Sequence, residues 1–133
     1  MAKILVIDDD QLFVTIMVHT LKQRGHEVAF AFDGVAGANA FAAAHFDAVV
    51  CDIVMPHQEG VATIRQFRTL RPDVAIVGIS GGLRLGGTLD ILEVAQKLGA
   101  DVTLKKPFQL SALAEAVERA LATPHGVDVA KQA

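Results

Sequence analysis

Short apolar runs alternate along this chain with longer stretches whose apolar residues recur every three to four positions. Ile4–Ile7, Ala48–Cys51 and Ala75–Ile79 are near-continuous apolar runs, the pattern of strands buried on both faces. Glu27–Ala31 and Val102–Leu104 read as two further strands, and Val74 joins the fourth. Between them, Phe13, Ile16, Met17 and Leu21 recur at helical spacing behind Asp10, a capping residue, and Gly25 stands where that helix should stop. Asp33-Gly34 marks a turn. The alanine-rich stretch 36–44 predicts a short helix with Phe41 and Ala44 inward. Gly60–Leu70 predicts a third helix with Ile64 and Phe67 inward, ended by Arg71-Pro72-Asp73. A fourth, Leu89–Leu98, is closed by Gly99, and Leu110, Leu113, Ala114, Val117 and Leu121 trace one face of a fifth.

This alternation predicts an α/β domain of (βα)5 form: a doubly wound parallel sheet with covered faces and right-handed crossovers, in the flavodoxin-like strand order 2-1-3-4-5. Residues 1–123 form the expected domain, and 124–133, which lack periodicity, a flexible tail. There is no internal repeat. The 133 residues suit one core, and a 52% hydrophobic content argues against wholesale disorder.

Net charge is −3, without the basic stripe of a nucleic-acid binder. The single cysteine, Cys51, excludes an internal disulfide and reads as a small apolar filler in a buried strand. No secretory leader opens the chain and no apolar run approaches the ~20 residues that cross a bilayer, so a soluble cytoplasmic protein is expected.

The chemistry gathers at the ends of the strands. Asp8-Asp9-Asp10 follows the first, Asp52 ends the third, Ser80 follows the fourth and Lys105-Lys106-Pro107 follows the fifth. In a parallel sheet these ends share one edge, where open α/β sheets bind ligands. In the order 2-1-3-4-5 the first and third strands are neighbours, so Asp8, Asp9 and Asp52 would share one site. Two like charges ~5 Å apart repel by about 3 kcal/mol at an effective dielectric near 20, so the cluster needs a cation. An all-oxygen site that retains waters suits Mg²⁺. Asp10 alone reads as a helix cap. Lys106 is the natural counter-charge, whereas alternation turns Lys105 to the other side of its strand. The hydroxyl of Ser80 stands at the fourth strand end.

These segments carry a resemblance. Ile4–Asp10, Cys51-Asp52-Ile53-Val54-Met55-Pro56 with Gly60 following, Ser80-Gly81 and Lys106-Pro107-Phe108 resemble, in order and register, the receiver domain of bacterial two-component response regulators, over about residues 3 to 122. The resemblance implies that Asp52 accepts a phosphoryl group from a sensor histidine kinase or phosphotransfer protein. It implies that Asp8 and Asp9 hold Mg²⁺ together with Asp52 and the backbone carbonyl of Val54. It further implies that Ser80 and Lys106 grip the phosphoryl oxygens, and that the Lys106-Pro107 peptide is cis. The expected protein is a stand-alone, chemotaxis-receiver-like signalling switch rather than a conventional enzyme. It would act as monomer or weak homodimer through a downstream protein target, without nucleic acid or membrane. Two departures stand out. Thr103 occupies the position where the family usually has Tyr or Phe, and Gly81–Gly87 is longer and richer in glycine than usual. Leu83 and Leu85 in that loop are candidate output contacts.

Rival readings fit less well. Gly78-Ile79-Ser80-Gly81-Gly82 matches the G-x-S-x-G nucleophile elbow, yet only His125 follows it and the chain is short for that fold. A flavin or nucleotide binder would use the glycine loop as a phosphate cradle, but 81–87 contains neither a P-loop ending nor G-x-G-x-x-G. His19, His26, His45, His57 and His125 show no metal-ligand spacing and read as solvated surface residues.

Overall fold

In a computed structural model of the chain, residues 1–53, 60–80, 96–97 and 99–123 are described. The five strands are β1 (Lys3–Ile7), β2 (Glu27–Ala31), β3 (Ala48–Asp52), β4 (Ala75–Ser80) and β5 (Val102–Lys105). They form one parallel sheet in the order β2-β1-β3-β4-β5. The described helices are α1 (Gln11–Gln23), α2 (Gly34–Ala43), α3 (Gly60–Leu70) and a fourth, α4 (Leu110–Ala122). Of the predicted helix Leu89–Leu98 only Gln96 and Lys97 are described, and both are helical. None of the helices described is long and apolar enough to cross a membrane.

Strand alternation sends alternate residues into two cores. Ile4, Val6, Ala48, Val50, Ala75, Val77 and Ile79 pack with Val14, Met17 and Leu21 of α1 and with Leu113, Ala116, Val117 and Ala120 of α4. Leu5, Ile7, Val49, Cys51 and Ile76 face the other way, against Phe41 of α2 and Ile64 and Phe67 of α3. The result, among the described residues, is three layers, with the central strands buried between two pairs of helices. Because β3 and β4 are buried along their whole length, their sequences read as apolar runs rather than as alternation.

Asp10 caps and Gly25 stops the first helix as expected, whereas Asp33, read as a turn residue, caps α2, which begins at Gly34 and ends one residue before Ala44. The Asp10 carboxylate accepts the N–H of Phe13 at 3.1 Å, and Asp33 accepts that of Ala36 at 2.7 Å. Gly25, at φ +88°, takes the left-handed turn after α1. Gly37 of α2 lies against Ile7, where an added Cβ would come within 2.5 Å of Cδ1, so this position allows the helix to approach the sheet closely.

Two inward assignments need correction. Ile16 is 38% exposed and Leu110 is 39% exposed. The buried stripe of α1 is centred on Val14, Met17 and Leu21, and α4 buries Ala116 and Ala120 beside its larger residues. Spacing alone reveals a stripe but not its centre, and alanines are easily overlooked as packing residues. His26 also departs from expectation: half-buried, its Nδ1 accepts the N–H of Ala2 at 3.1 Å.

Candidate functional site

Alternation decides which strand-end residues meet. Asp8 continues the series Ile4–Val6, Asp52 continues Ala48–Val50, and Lys106 continues Val102–Leu104. All three series face α1 and α4. The side chains therefore converge over one face of the carboxyl edge. Lys106 Nζ lies 2.9 Å from Asp8 Oδ2 and 3.4 Å from Asp52 Oδ2. Asp8 is completely buried, Asp52 is 4% exposed, and Asp9 opens to solvent. One carboxylate oxygen from each of Asp8, Asp9 and Asp52 lies within 4.8 Å of the others.

This arrangement makes electrostatic sense only with positive charge present. Lys106 supplies part of it. Burial pushes its ammonium pKa down, but the hydrogen bond to Asp8 and the charges of Asp52 and Asp8 outweigh that effect and hold it above the ordinary lysine value. Asp9 is raised above the usual carboxylate range, first by partial burial and then by its hydrogen bond to Asp8 and the Asp8 charge. Three facing carboxylates with one open to water fit a small hard ion such as Mg²⁺, which takes oxygen ligands and keeps several waters.

Other predicted residues lie around this cluster. Ser80 ends β4, almost fully buried, and its carbonyl accepts the Lys106 N–H at 2.7 Å. Its Cα pairs with that of Lys105 at the end of the β4–β5 ladder. Lys105 is exposed, as alternation requires, and Thr103 is half-buried within β5. The Lys106-Pro107 peptide is cis. Cys51 is fully buried beneath the site, and burial together with the Asp52 and Asp8 charges pushes its thiol pKa well up, which suits an inert packing group. Val54, Met55-Pro56, His57, the Gly81–Gly87 loop with Leu83 and Leu85, His125 and the 124–133 tail lie outside the described residues.

One participant was not anticipated from sequence. Lys106 Nζ lies over the Phe13 ring, 4.6 Å from its centroid, and Phe108 meets the same ring edge-on at 5.7 Å. Helical spacing points Phe13 to the core, and it does pack against that core while its ring also meets Lys106. The signal that could have separated it is its position one turn after the cap that follows the acidic cluster.

Comparison with known proteins agrees with the geometry. Residues 4–118 match the family described as response regulator receiver domain. The chain is 35% identical over 120 residues to the DNA-binding transcriptional regulator NtrC of Azospirillum brasilense, covering 90% of this chain and 24% of that protein. It is 31% identical over 125 residues to the transcriptional regulatory protein ZraR of Escherichia coli K12, covering 94% of this chain and 27% of the relative. The chain thus spans about a quarter of the length of these curated relatives. Among solved structures, a receiver domain protein from Clostridium thermocellum superposes with a TM-score of 0.81 at 31% identity, covering 92% of this chain and 95% of that one. A CheY-like receiver from Methanospirillum hungatei gives 0.82 at 25% identity, covering 90% and 93%.

Proposed function

The chain belongs to the response-regulator receiver family of two-component systems, and from that premise we propose that it is a Mg²⁺-dependent switch phosphorylated on Asp52. The observation that carries this reading is the placement of Lys106 Nζ within 3.4 Å of both buried carboxylates, Asp8 and Asp52, at the edge of the sheet. Asp8, Asp9, Asp52 and the backbone carbonyl of Val54 would hold the metal. When bound, Mg²⁺ would offset negative charge on the transferring group and its acceptor.

The chain's own residues have definite tasks in this reading. An Asp52 carboxylate oxygen attacks phosphorus in line as the donor's imidazole nitrogen leaves with the electron pair of the broken N–P bond. The Lys106 ammonium, already beside Asp52, turns one N–H to a phosphoryl oxygen and neutralises charge that the acceptor alone could not. The Ser80 hydroxyl would take a second oxygen and draw the β4 end inward, turning local charge into a change of surface. With Thr103 in β5, that change would run through the segment after Ser80 rather than through an aromatic ring.

The donor would be a sensor histidine kinase or phosphotransfer protein, and the readout a protein partner contacted by the receiver unit itself. One relative is named a DNA-binding transcriptional regulator and is about four times as long as this chain, so we assign no nucleic-acid contact to this acidic unit itself. A small acyl phosphate such as acetyl phosphate tests the reading without a cognate kinase. Asp52→Asn should stop labelling, and Asp9→Ala should sharply weaken Mg²⁺ binding. Full labelling of Asp52→Asn would refute the assignment.

A further inference from the structure

Both oxygens of buried Asp8 are engaged: Oδ2 accepts from Lys106 Nζ at 2.9 Å and Oδ1 accepts the Asp10 N–H at 3.0 Å. Asp10 accepts the Phe13 N–H at 3.1 Å, and the Phe13 ring returns to Lys106 Nζ at 4.6 Å from its centroid. The four residues close a circuit. Phe108, two residues beyond Lys106, meets the same ring edge-on at an interplanar angle of 63°. The helix cap, the acidic cluster and the exit of β5 are thereby tied to one aromatic side chain.

A ring face suits this place better than another polar group. Lysine carries a flexible stem, and a third carboxylate would bind its ammonium and take up one of its three N–H donors. An aromatic face attracts the ammonium at distances up to about 6 Å without accepting a conventional hydrogen bond. Two N–H groups can then serve Asp8 and Asp52 while one remains for an incoming oxygen. A purely aliphatic side chain would fill the space without that attraction.

We propose that Phe13 is a positioning residue for Lys106, its ring face holding the ammonium between Asp8 and Asp52 with hydrogen-bonding capacity left for a phosphoryl oxygen. The last part rests on Asp52 being the acceptor, whereas the placement of the ammonium by the ring is measurable without it. The test compares the wild-type chain with Phe13→Leu, Phe13→Met and Phe13→Tyr. Two non-aromatic fillers are used so that a packing defect in one does not decide the result.

The first readout is the NMR shift of the Lys106 ε-methylene protons in metal-free protein. The ring should hold them upfield in wild type and Phe13→Tyr, and both non-aromatic variants should release them. The second is the rate of Asp52 labelling by acetyl phosphate at saturating Mg²⁺. It should fall about three- to tenfold in the Leu and Met variants and recover with Tyr. Unmoved ε-proton shifts in Phe13→Leu and Phe13→Met, or wild-type labelling rates in both, would overturn the proposal. If no form, wild type included, labels on Asp52, the acceptor reading fails and the NMR comparison alone decides whether the ring places the ammonium.

Discussion

Lys106→Met retains most of the aliphatic stem but removes the ammonium that lies 2.9 Å from Asp8 and 3.4 Å from Asp52. At an effective dielectric near 20, each contact is worth roughly 5 kcal/mol before desolvation is counted. Desolvating the groups offsets much of this, but removing one partner leaves buried carboxylates uncompensated, which typically costs about 3–5 kcal/mol. Lys106 is about one-quarter exposed and Asp9 opens to water, so solvent relieves part of that cost. The expected loss in metal-free buffer at neutral pH is about 2–3 kcal/mol. Mg²⁺ should reverse about half of it, because the ion supplies the missing charge and no longer competes with an ammonium for Asp8 and Asp52. The variant should therefore bind Mg²⁺ about tenfold more tightly than wild type, the equivalent of about 1.4 kcal/mol. The chain has no Trp or Tyr, so urea unfolding is best followed by far-ultraviolet circular dichroism, with chelator and with Mg²⁺. Equal stability of wild type and variant without metal, or the same deficit in both buffers, would refute the reasoning.

His26 gives a pH signature independent of the site. Burial and the N-terminal charge hold its pKa below the ordinary 6.5, and neutral Nδ1 accepts the Ala2 N–H. As pH falls through 6.5 the unfolded chain takes up a proton first, so stability present above that value declines until the folded histidine also protonates. Urea midpoints between about pH 7.5 and about pH 5.5 should fall more steeply for wild type than for His26→Gln, and parallel profiles would count against it. Gly37→Ala should lose about 1 kcal/mol despite better helix propensity, because the new methyl meets Ile7 Cδ1 at 2.5 Å and Cγ1 at 2.9 Å. Ile7→Val should recover part of that loss in the double variant, and strictly additive urea data would show that the contact is not the cause.

Much of this architecture is legible in the sequence because the sheet is buried on both faces. Continuous apolar runs locate β1, β3 and β4, and the boundary of β4 differs by one residue, beginning at Ala75 and running through Ser80. Capping by Asp10 and the stop at Gly25 are local events, readable without tertiary information. The carboxylate cluster is legible from strand order and alternation together, since these place Asp8, Asp52 and Lys106 on one face. Side-chain centring on helices is not, as Ile16 and Leu110 demonstrate. Nor is the contact of Phe13 with Lys106, which joins the first turn of α1 to the exit of β5 and leaves no mark in local spacing.

The central claim is that the converging carboxylates make Asp52 a metal-dependent phosphoryl acceptor. Site-resolved mass spectrometry after treatment with acetyl phosphate and Mg²⁺ tests it most directly. One phosphoryl group is expected, carried on Asp52, released in mild base and absent when the metal is chelated. A base-stable phosphate on Ser80, or labelling indifferent to chelation, would contradict it.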